Sequence, residues 1–329
     1  MKVAVTGGAG FIGSHLVDHL VENRYDVLIV DNFRTGSIKN LTSSIEKISV
    51  IDHDIQFPLP KNIFNDCSMV FHLAALADIV PSIENPTDYM LTNVQGTVNV
   101  LESARSSGVK RVIYTASSTC YGLATNFPTP ESETIAPTFP YALSKHLGEL
   151  IFFHWLRLYG MSGVSLRLFN VYGPRARTTG NYGAVLGVFL AQKIAQKPFT
   201  VVGDGKQVRD FTYVSDVARA YLLAGKSEIS GIPMNIGTQN PQSINRLVEL
   251  IGGEVDFIPK RPGEPDITQA DISLAKKLIS WEPEIDFEQG IKLVLSQIHL
   301  WKEAPLWESH NIAKATSSWF QYLGKNENY

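Results

Sequence analysis

Thr6-Gly7-Gly8-Ala9-Gly10-Phe11-Ile12-Gly13 decides how the first half of this chain is read. It follows a short apolar run, Lys2-Val3-Ala4-Val5, and opens a segment, 12–21, whose apolar residues recur at helical spacing. The glycines at 8, 10 and 13, with Gly7 before them, fit the turn that joins a strand to a helix beneath a dinucleotide pyrophosphate. Glycine permits the tight turn and lets the backbone approach phosphate. The helix N-terminus adds unpaired N–H groups and a positive dipole end. An ordinary glycine turn would carry the same letters. Asp31 narrows the choice. It closes a second apolar run, Val27-Leu28-Ile29-Val30, eighteen residues after Gly13. A carboxylate there accepts hydrogen bonds from an adenosine ribose and repels a 2′-phosphate, which favours NAD over NADP. Arg34 is the nearby residue that argues the other way. Asp54, after the next apolar run and beside Ile55, reads equally as a cofactor contact or a helix cap.

Working outward, short apolar runs at 2–6, 26–30, 47–51, 69–73, 111–116 and 164–169 alternate with helical patterns at 12–21, 93–107 and 141–159. Strands apolar on both faces and separated by helices imply a parallel sheet covered on both sides. The expected fold class is α/β: a Rossmann-type doubly wound parallel sheet with a smaller, mixed α/β substrate-binding domain. The second half is less regular, with helices expected near 184–195, 215–224, 244–250 and 287–300 and a strand at 199–202. Gly203-Asp204-Gly205 and residues 260–265 mark loops. The sequence divides into a dinucleotide-binding unit, 1–168 with 205–232 returning to it, a substrate unit, 169–204 and 233–302, and an extension, 303–329. Trp307, Trp319, Phe320 and Tyr322 make that extension too aromatic for a disordered tail. A helix packed on the body or on a second subunit is expected.

Composition excludes other classes. The chain has 329 residues, enough for two domains or one large α/β unit, with 44% hydrophobic and 19% charged residues, which excludes widespread disorder. A net charge of -3 gives no basic excess to attract nucleic acid or an anionic membrane. No apolar run approaches the ~20 residues that span a bilayer. The short first strand runs straight into glycines, unlike a signal peptide. Cys67 and Cys120 sit in or beside apolar runs, as buried thiols of a reducing cytoplasm do. No His, Cys and Asp cluster has metal-ligand spacing, so no metal is expected.

Tyr141-Ala142-Leu143-Ser144-Lys145 sets Tyr and Lys four apart on one helix face. With 12 tyrosines in the chain, one such spacing can arise by chance. Upstream, the run 111–116 passes into Ser117-Ser118-Thr119-Cys120-Tyr121-Gly122. A hydroxyl at the carboxyl end of a strand is where open α/β sheets hold ligands, although a lone serine there can simply cap a turn. Arg209 and Arg261 lie in loops of the second half; each alone reads as a solvated charge, and together they suit a diphosphate.

In combination these features resemble an extended short-chain dehydrogenase/reductase of the nucleotide-sugar epimerase/dehydratase kind, nearest to UDP-sugar 4-epimerases. The likeness covers about residues 1–300. It rests on the glycine loop, Phe71-His72-Leu73-Ala74-Ala75, Asn93 within Asn-Val-Gln-Gly-Thr, Ser117 before Tyr121-Gly122, and Tyr141 with Lys145. Also similar are 166–175, 203–211, Arg261-Pro262-Gly263-Glu264 and Trp281-Glu282-Pro283. The resemblance implies NAD held by Gly7, Gly10, Phe11, Ile12, Gly13, Asp31, Asn32, Thr35, Gly36, Asp54, Ile55, Leu73, Ala74, Ala75, Asn93, Tyr141, Lys145 and Phe169. It makes Tyr141 the acid/base, its phenol (ordinarily near a pKa of ~10) lowered by Lys145 and the oxidised nicotinamide. Ser117 would bond the same sugar oxygen.

For the substrate, a UDP-sugar, the resemblance implies Ser117, Asn170, Arg209, Arg261, Glu264 and Thr268. Many relatives carry Asp at the position of Glu264. Thr268 would line the sugar pocket, where a small side chain leaves room for an N-acetyl group and its hydroxyl offers a hydrogen bond. Relatives that eliminate water carry an acidic pair after the catalytic hydroxyl, and decarboxylating relatives keep a Glu there. Ser118 and Thr119 stand at those positions, which favours 4-epimerisation through a transient 4-keto sugar. A 4,6-dehydratase, decarboxylase or ketoreductase of the same family is the alternative, and a non-catalytic sensor a third reading that the Tyr and Lys pair disfavours. Relatives pair as homodimers through the helices matching 93–107 and 141–159, so a homodimer is expected.

Overall fold

In the computed structural model, which describes residues 1–176 and 184–324, seven strands run parallel in one sheet. They are Lys2–Thr6 (β1), Asp26–Asp31 (β2), Ile48–Asp52 (β3), Cys67–His72 (β4), Arg111–Ser117 (β5), Ser162–Leu168 (β6) and Pro233–Ile236 (β7). The order across the sheet is β7-β6-β5-β4-β1-β2-β3. The helices that matter for the site are Phe11–Glu22 (α1), Ile79–Glu84 (α2), Gly96–Ser106 (α3), Pro140–Tyr159 (α4), Val214–Lys226 (α5) and Ser317–Leu323 (α6). The doubly wound reading is correct, and β1 shows why Val3, Ala4 and Val5 are all apolar. Val3 and Val5 enter a core with Leu16 and Leu20 of α1 and Tyr221 of α5, while Ala4 faces a second core with Leu101 of α3 and Phe152 of α4. Burying each large side chain contributes roughly 1.5–3 kcal/mol. Chain order reverses between β1 and β4, which opens a crevice at the carboxyl ends of those strands.

Helix α4 carries its own boundary signals. Pro140 stands at its first turn and Gly160 follows it with φ 63°, a left-handed stop that glycine adopts without strain. The expected helix 93–107 begins instead as a π-turn, Leu91–Gln95, before α3. The helices Ile79–Glu84 and Pro86–Met90 were not anticipated, and the expected helix 287–300 stops at Ser296 before a 3-10 turn, Ile298–Trp301. Strand β7 corrects the division at 233. Residues 233–236, expected in the substrate unit, pair with β6 in the large sheet. Pro233 at the strand start and the buried polar Asn235 disguise this edge strand.

Residues of the second half build a third core around Tyr172, Phe189, Phe199, Phe211, Phe287 and Trp301. Three two-stranded pairs frame it: Val171–Tyr172 with Thr212–Tyr213, Val208–Arg209 with Gln242–Ser243, and Phe199–Val202 with Val255–Ile258. The aromatic extension packs on the body through Ser309–Ala315 and α6, burying Ile312 and Trp319. Among the described residues no helix is long and apolar enough to cross a membrane, and no cluster of His, Cys, Asp and Glu could hold a metal ion. Cys67 and Cys120 are buried and unpaired.

Candidate active site

The glycine loop turns sharply at Gly7, whose φ is 72°. Its N–H donates to the Val30 carbonyl, and Gly10 N–H donates back to the Gly7 carbonyl at 3.1 Å. A Cβ on Gly13 would lie 2.1 Å from the Gly7 oxygen. The loop can therefore close over the start of α1 only without a side chain there. We expect Gly13→Ala to force the loop outward, to cost about 1–3 kcal/mol of stability, and to leave the purified protein without its dinucleotide. Absorbance of the nucleotide released on denaturation and a thermal melt check both.

Asp31 secures this loop from β2. Its carboxylate accepts from Ala9 N–H and from Phe33 N–H, each at 2.9 Å. Burial pushes its pKa up, and the two N–H groups oppose that. Beside it, Asn32 donates to Asp54, which also accepts from Gln56 N–H. Asp54 thus ties two loops together rather than capping a long helix. Arg34, the residue that would have favoured NADP, is paired with Asp88 at 2.5 Å. A tight glycine turn, a helix start and an acidic group at the second strand fit an adenine dinucleotide without a 2′-phosphate.

The reactive groups lie where β5 ends. Ser117 bonds Thr119 through its hydroxyl at 2.9 Å and lies near enough to the Tyr141 phenol to affect its ionisation. The Tyr141 ring stacks on Phe139 at 6.4 Å and meets Tyr89 edge-on at 6.3 Å. Burial pushes its phenol above the ordinary range, and Ser117 opposes that. One turn on, Lys145 is buried with its ammonium 4.7 Å from the Tyr114 ring centre. Burial lowers its pKa to about 7, with Glu149 opposing. Glu149 is buried as well, but the neighbouring His146 ring and hydrogen bonds from Arg167 and Ser165 overcome burial and hold it at about 2. His72, pushed to about 3 by burial and by Lys145, stays neutral between the hydroxyls of Thr6 and Thr97.

At the other end of the cleft Arg209 donates to Glu264 at 2.8 Å and to the Val208 carbonyl. Arg261 approaches the second Glu264 oxygen at 3.7 Å. The Thr268 hydroxyl accepts from Asp210 N–H and donates to the Asn170 side chain. Through these two bonds it braces the loop that carries it, while one acceptor lone pair remains. A single cavity of about 700 Å³ joins both ends. It is lined by the expected cofactor, catalytic and substrate residues except two. Asn93 is buried, and its amide is taken by both backbone groups of Leu76 and by Ser144, so it braces α4 rather than contacting a cofactor. Gly36 packs against the Ala9 backbone behind the wall.

Residues that the sequence left unnoticed support the site. Asp210, fully buried, accepts from Thr238, Gln239 and Ala270 and so fixes the strand that carries Arg209. Its adjacency to Arg209 was the one available signal. Trp319 and Phe139 also line the cavity. The arrangement can bind an extended dinucleotide beside a dianionic ligand and move one proton at a buried hydroxyl.

Residues 3–237 match the family model described as "NAD dependent epimerase/dehydratase family". Among solved structures, the UDP-glucose 4-epimerase of Thermotoga maritima with UDP-glucose is 35% identical, with a TM-score of 0.84 over 91% of this chain and 99% of its own. The UDP-N-acetylglucosamine 4-epimerase of Methanobrevibacter ruminantium, in complex with UDP-N-acetylmuramic acid, is also 35% identical, with a TM-score of 0.85 over 90% and 98%. UDP-glucuronic acid decarboxylase 1 of Arabidopsis thaliana is 34% identical over 90% of this chain and 69% of its own length.

Proposed function

The chain belongs to the NAD dependent epimerase/dehydratase family, and from that premise we propose that it is an NAD-dependent UDP-sugar 4-epimerase that accepts N-acetylhexosamines as well as plain hexoses. The observation that carries the reaction is the meeting of Ser117, Tyr141 and Lys145 with Arg209 and Arg261 in one cavity, where Ser118 and Thr119 bring hydroxyls and no carboxyl group. Elimination or decarboxylation needs a further acid or base at those positions. Bound NAD supplies the acceptor and donor of hydride at the sugar C4. The glycine loop, Asp31 and Lys145 would hold it.

The chain's own residues do the rest. Tyr141 takes the proton of the sugar hydroxyl and later returns it. Ser117, beside Tyr141, holds the same oxygen. Because burial keeps the phenol high, positive charge must draw its proton away, and Lys145 is the protein's source of it. Arg209 and Arg261 exchange Glu264 for the diphosphate. Anchoring the nucleotide by charge and the sugar by few contacts suits a reaction in which the sugar must present both faces.

Support for the wider substrate range is the small Thr268 at the cleft wall. UDP-glucose, UDP-N-acetylglucosamine and UDP-galacturonate incubated in turn with the enzyme test it; turnover of UDP-glucose alone would refute the acetyl-tolerant pocket. Two variants separate space from loop support. Thr268→Val removes the loop hydrogen bonds but keeps the volume, and both substrate classes should decline together. Thr268→Tyr should in addition impair the N-acetylated substrate selectively. Equal losses in both variants would leave Thr268 only its loop role.

The homodimer is proposed on α4. Phe152 and Leu156 of this helix lie in the chain's own core. Leu150 and Leu158 remain 51% and 58% exposed, with Leu143 and Tyr159 beside them. An exposed apolar patch on a long helix suits an isologous pairing. Light scattering at micromolar concentration should give twice the chain mass; a monomer would exclude it.

A further inference from the structure

We propose that Trp319, on helix α6 of the C-terminal extension, is a positioning residue for Arg261, so that the extension completes the substrate end of the cleft. The inference rests on the UDP-sugar reading. The indole is 4% exposed and lines the cavity. Its Nε1–H donates to the Pro262 carbonyl at 2.7 Å, which pins the loop that carries Arg261 and Glu264. The Arg261 guanidinium carbon lies 5.5 Å from the centre of the indole ring, within reach of cation–π attraction. The indole also meets the Phe139 ring at 6.3 Å, and Phe139 stacks on Tyr141. A continuous row therefore links the acid/base to the diphosphate end: Tyr141, Phe139, Trp319, Arg261.

The strap is held at both ends. Ser318 donates to Glu84 of α2, on the cofactor side of the cleft. The Trp307 carbonyl accepts from Gln192 in the substrate half, and Glu308 and Asn311 form a reciprocal cap on the helix between them. The physical role follows from Glu264, which bridges Arg209 and Arg261. To receive a diphosphate, Arg261 must release that carboxylate while keeping its orientation. A guanidinium resting on an aromatic face keeps its N–H edge available to an anion, and the indole N–H stops the loop from following Glu264 away. Trp319 is not placed against the reacting atoms, so its effect belongs in substrate affinity.

Full-length Trp319→Leu, Trp319→Phe, Arg261→Met and the Trp319→Leu/Arg261→Met pair test this. Calorimetry with UDP alone, steady-state turnover of a UDP-sugar, NAD content and thermal midpoint are measured for each. Trp319→Leu should weaken UDP binding and raise KM about tenfold, with kcat changed by less than about threefold and NAD content unchanged. Trp319→Phe, which keeps a ring face, should recover part of the loss. The double variant should bind UDP no more weakly than Arg261→Met, because the two act as one unit. Unchanged UDP affinity in Trp319→Leu, or losses that multiply in the double variant, would overturn the proposal. So would loss of NAD and early melting in both tryptophan variants, which would make the residue merely structural. Wild type that binds UDP yet epimerises nothing would refute the activity, and the UDP comparison would still decide the role of Trp319. Wild type that fails to bind UDP would refute both.

Discussion

Replacing Tyr141 by phenylalanine should lower turnover ~10²–10⁴-fold, the usual contribution of a positioned acid/base. The change deletes one hydroxyl and leaves the ring in its stack on Phe139 and against Tyr89. Ser117 keeps Thr119 as a partner, so no buried hydroxyl is stranded. The thermal midpoint should therefore stay within about 3 °C of wild type and NAD content should be unchanged. A group that acts on the proton and not on the diphosphate should, when removed, move KM little while kcat collapses. Turnover near that of wild type would remove Tyr141 from the chemistry.

Lys145→Met should reduce turnover ~10²–10³-fold and at the same time raise the melting temperature. Lys145 is 4% exposed, and its opposing charge, Glu149, is already committed to Arg167. The fold thus carries an ammonium that burial disfavours, lowering its pKa to about 7. Methionine fills a similar volume without that desolvation cost. The pH dependence has a definite sign. Between pH 7 and the ordinary lysine value of 10.5 the unfolded chain holds a proton that the folded chain has lost, so wild-type stability rises with pH across that window. Below pH 7 both states are charged and the penalty is greatest. The stability advantage of Lys145→Met should therefore be largest at or below pH 7 and shrink towards pH 10. Melts of both proteins from pH 6 to 10 check it; a less stable variant at pH 7 would contradict the account.

Both effects concern residues that the sequence made visible, because their spacing is local. The glycine loop joins one strand to one helix, Asp31 ends a single strand, and Tyr141 and Lys145 share one helix, so period and spacing determine direction. Asn93 shows where that stops. Its place in a matching segment pointed to the cofactor, but the π-turn rotates it beneath Leu76 and Ser144. The fate of the Thr268 hydroxyl depended on Asp210 and Asn170, distant in sequence and brought together by loops. Strand β7 escaped notice because it is four residues long with a polar Asn235, whose amide finds partners only in the folded chain. For Trp319, composition said that the extension would pack somewhere; only the fold put it on Arg261. Contacts between segments remote in sequence were the part that could not be read in advance.

The measurement that tests the central claim most directly is proton NMR of the sugar signals when the enzyme is given a UDP-hexose and, separately, its C4 epimer, with no cofactor added. The account predicts that both reactions converge on one mixture of the two C4 epimers, with the UDP-sugar total conserved and no 4-keto-6-deoxy or pentose signals. Irreversible formation of either of those products, or no interconversion at all by protein that retains NAD, would contradict it.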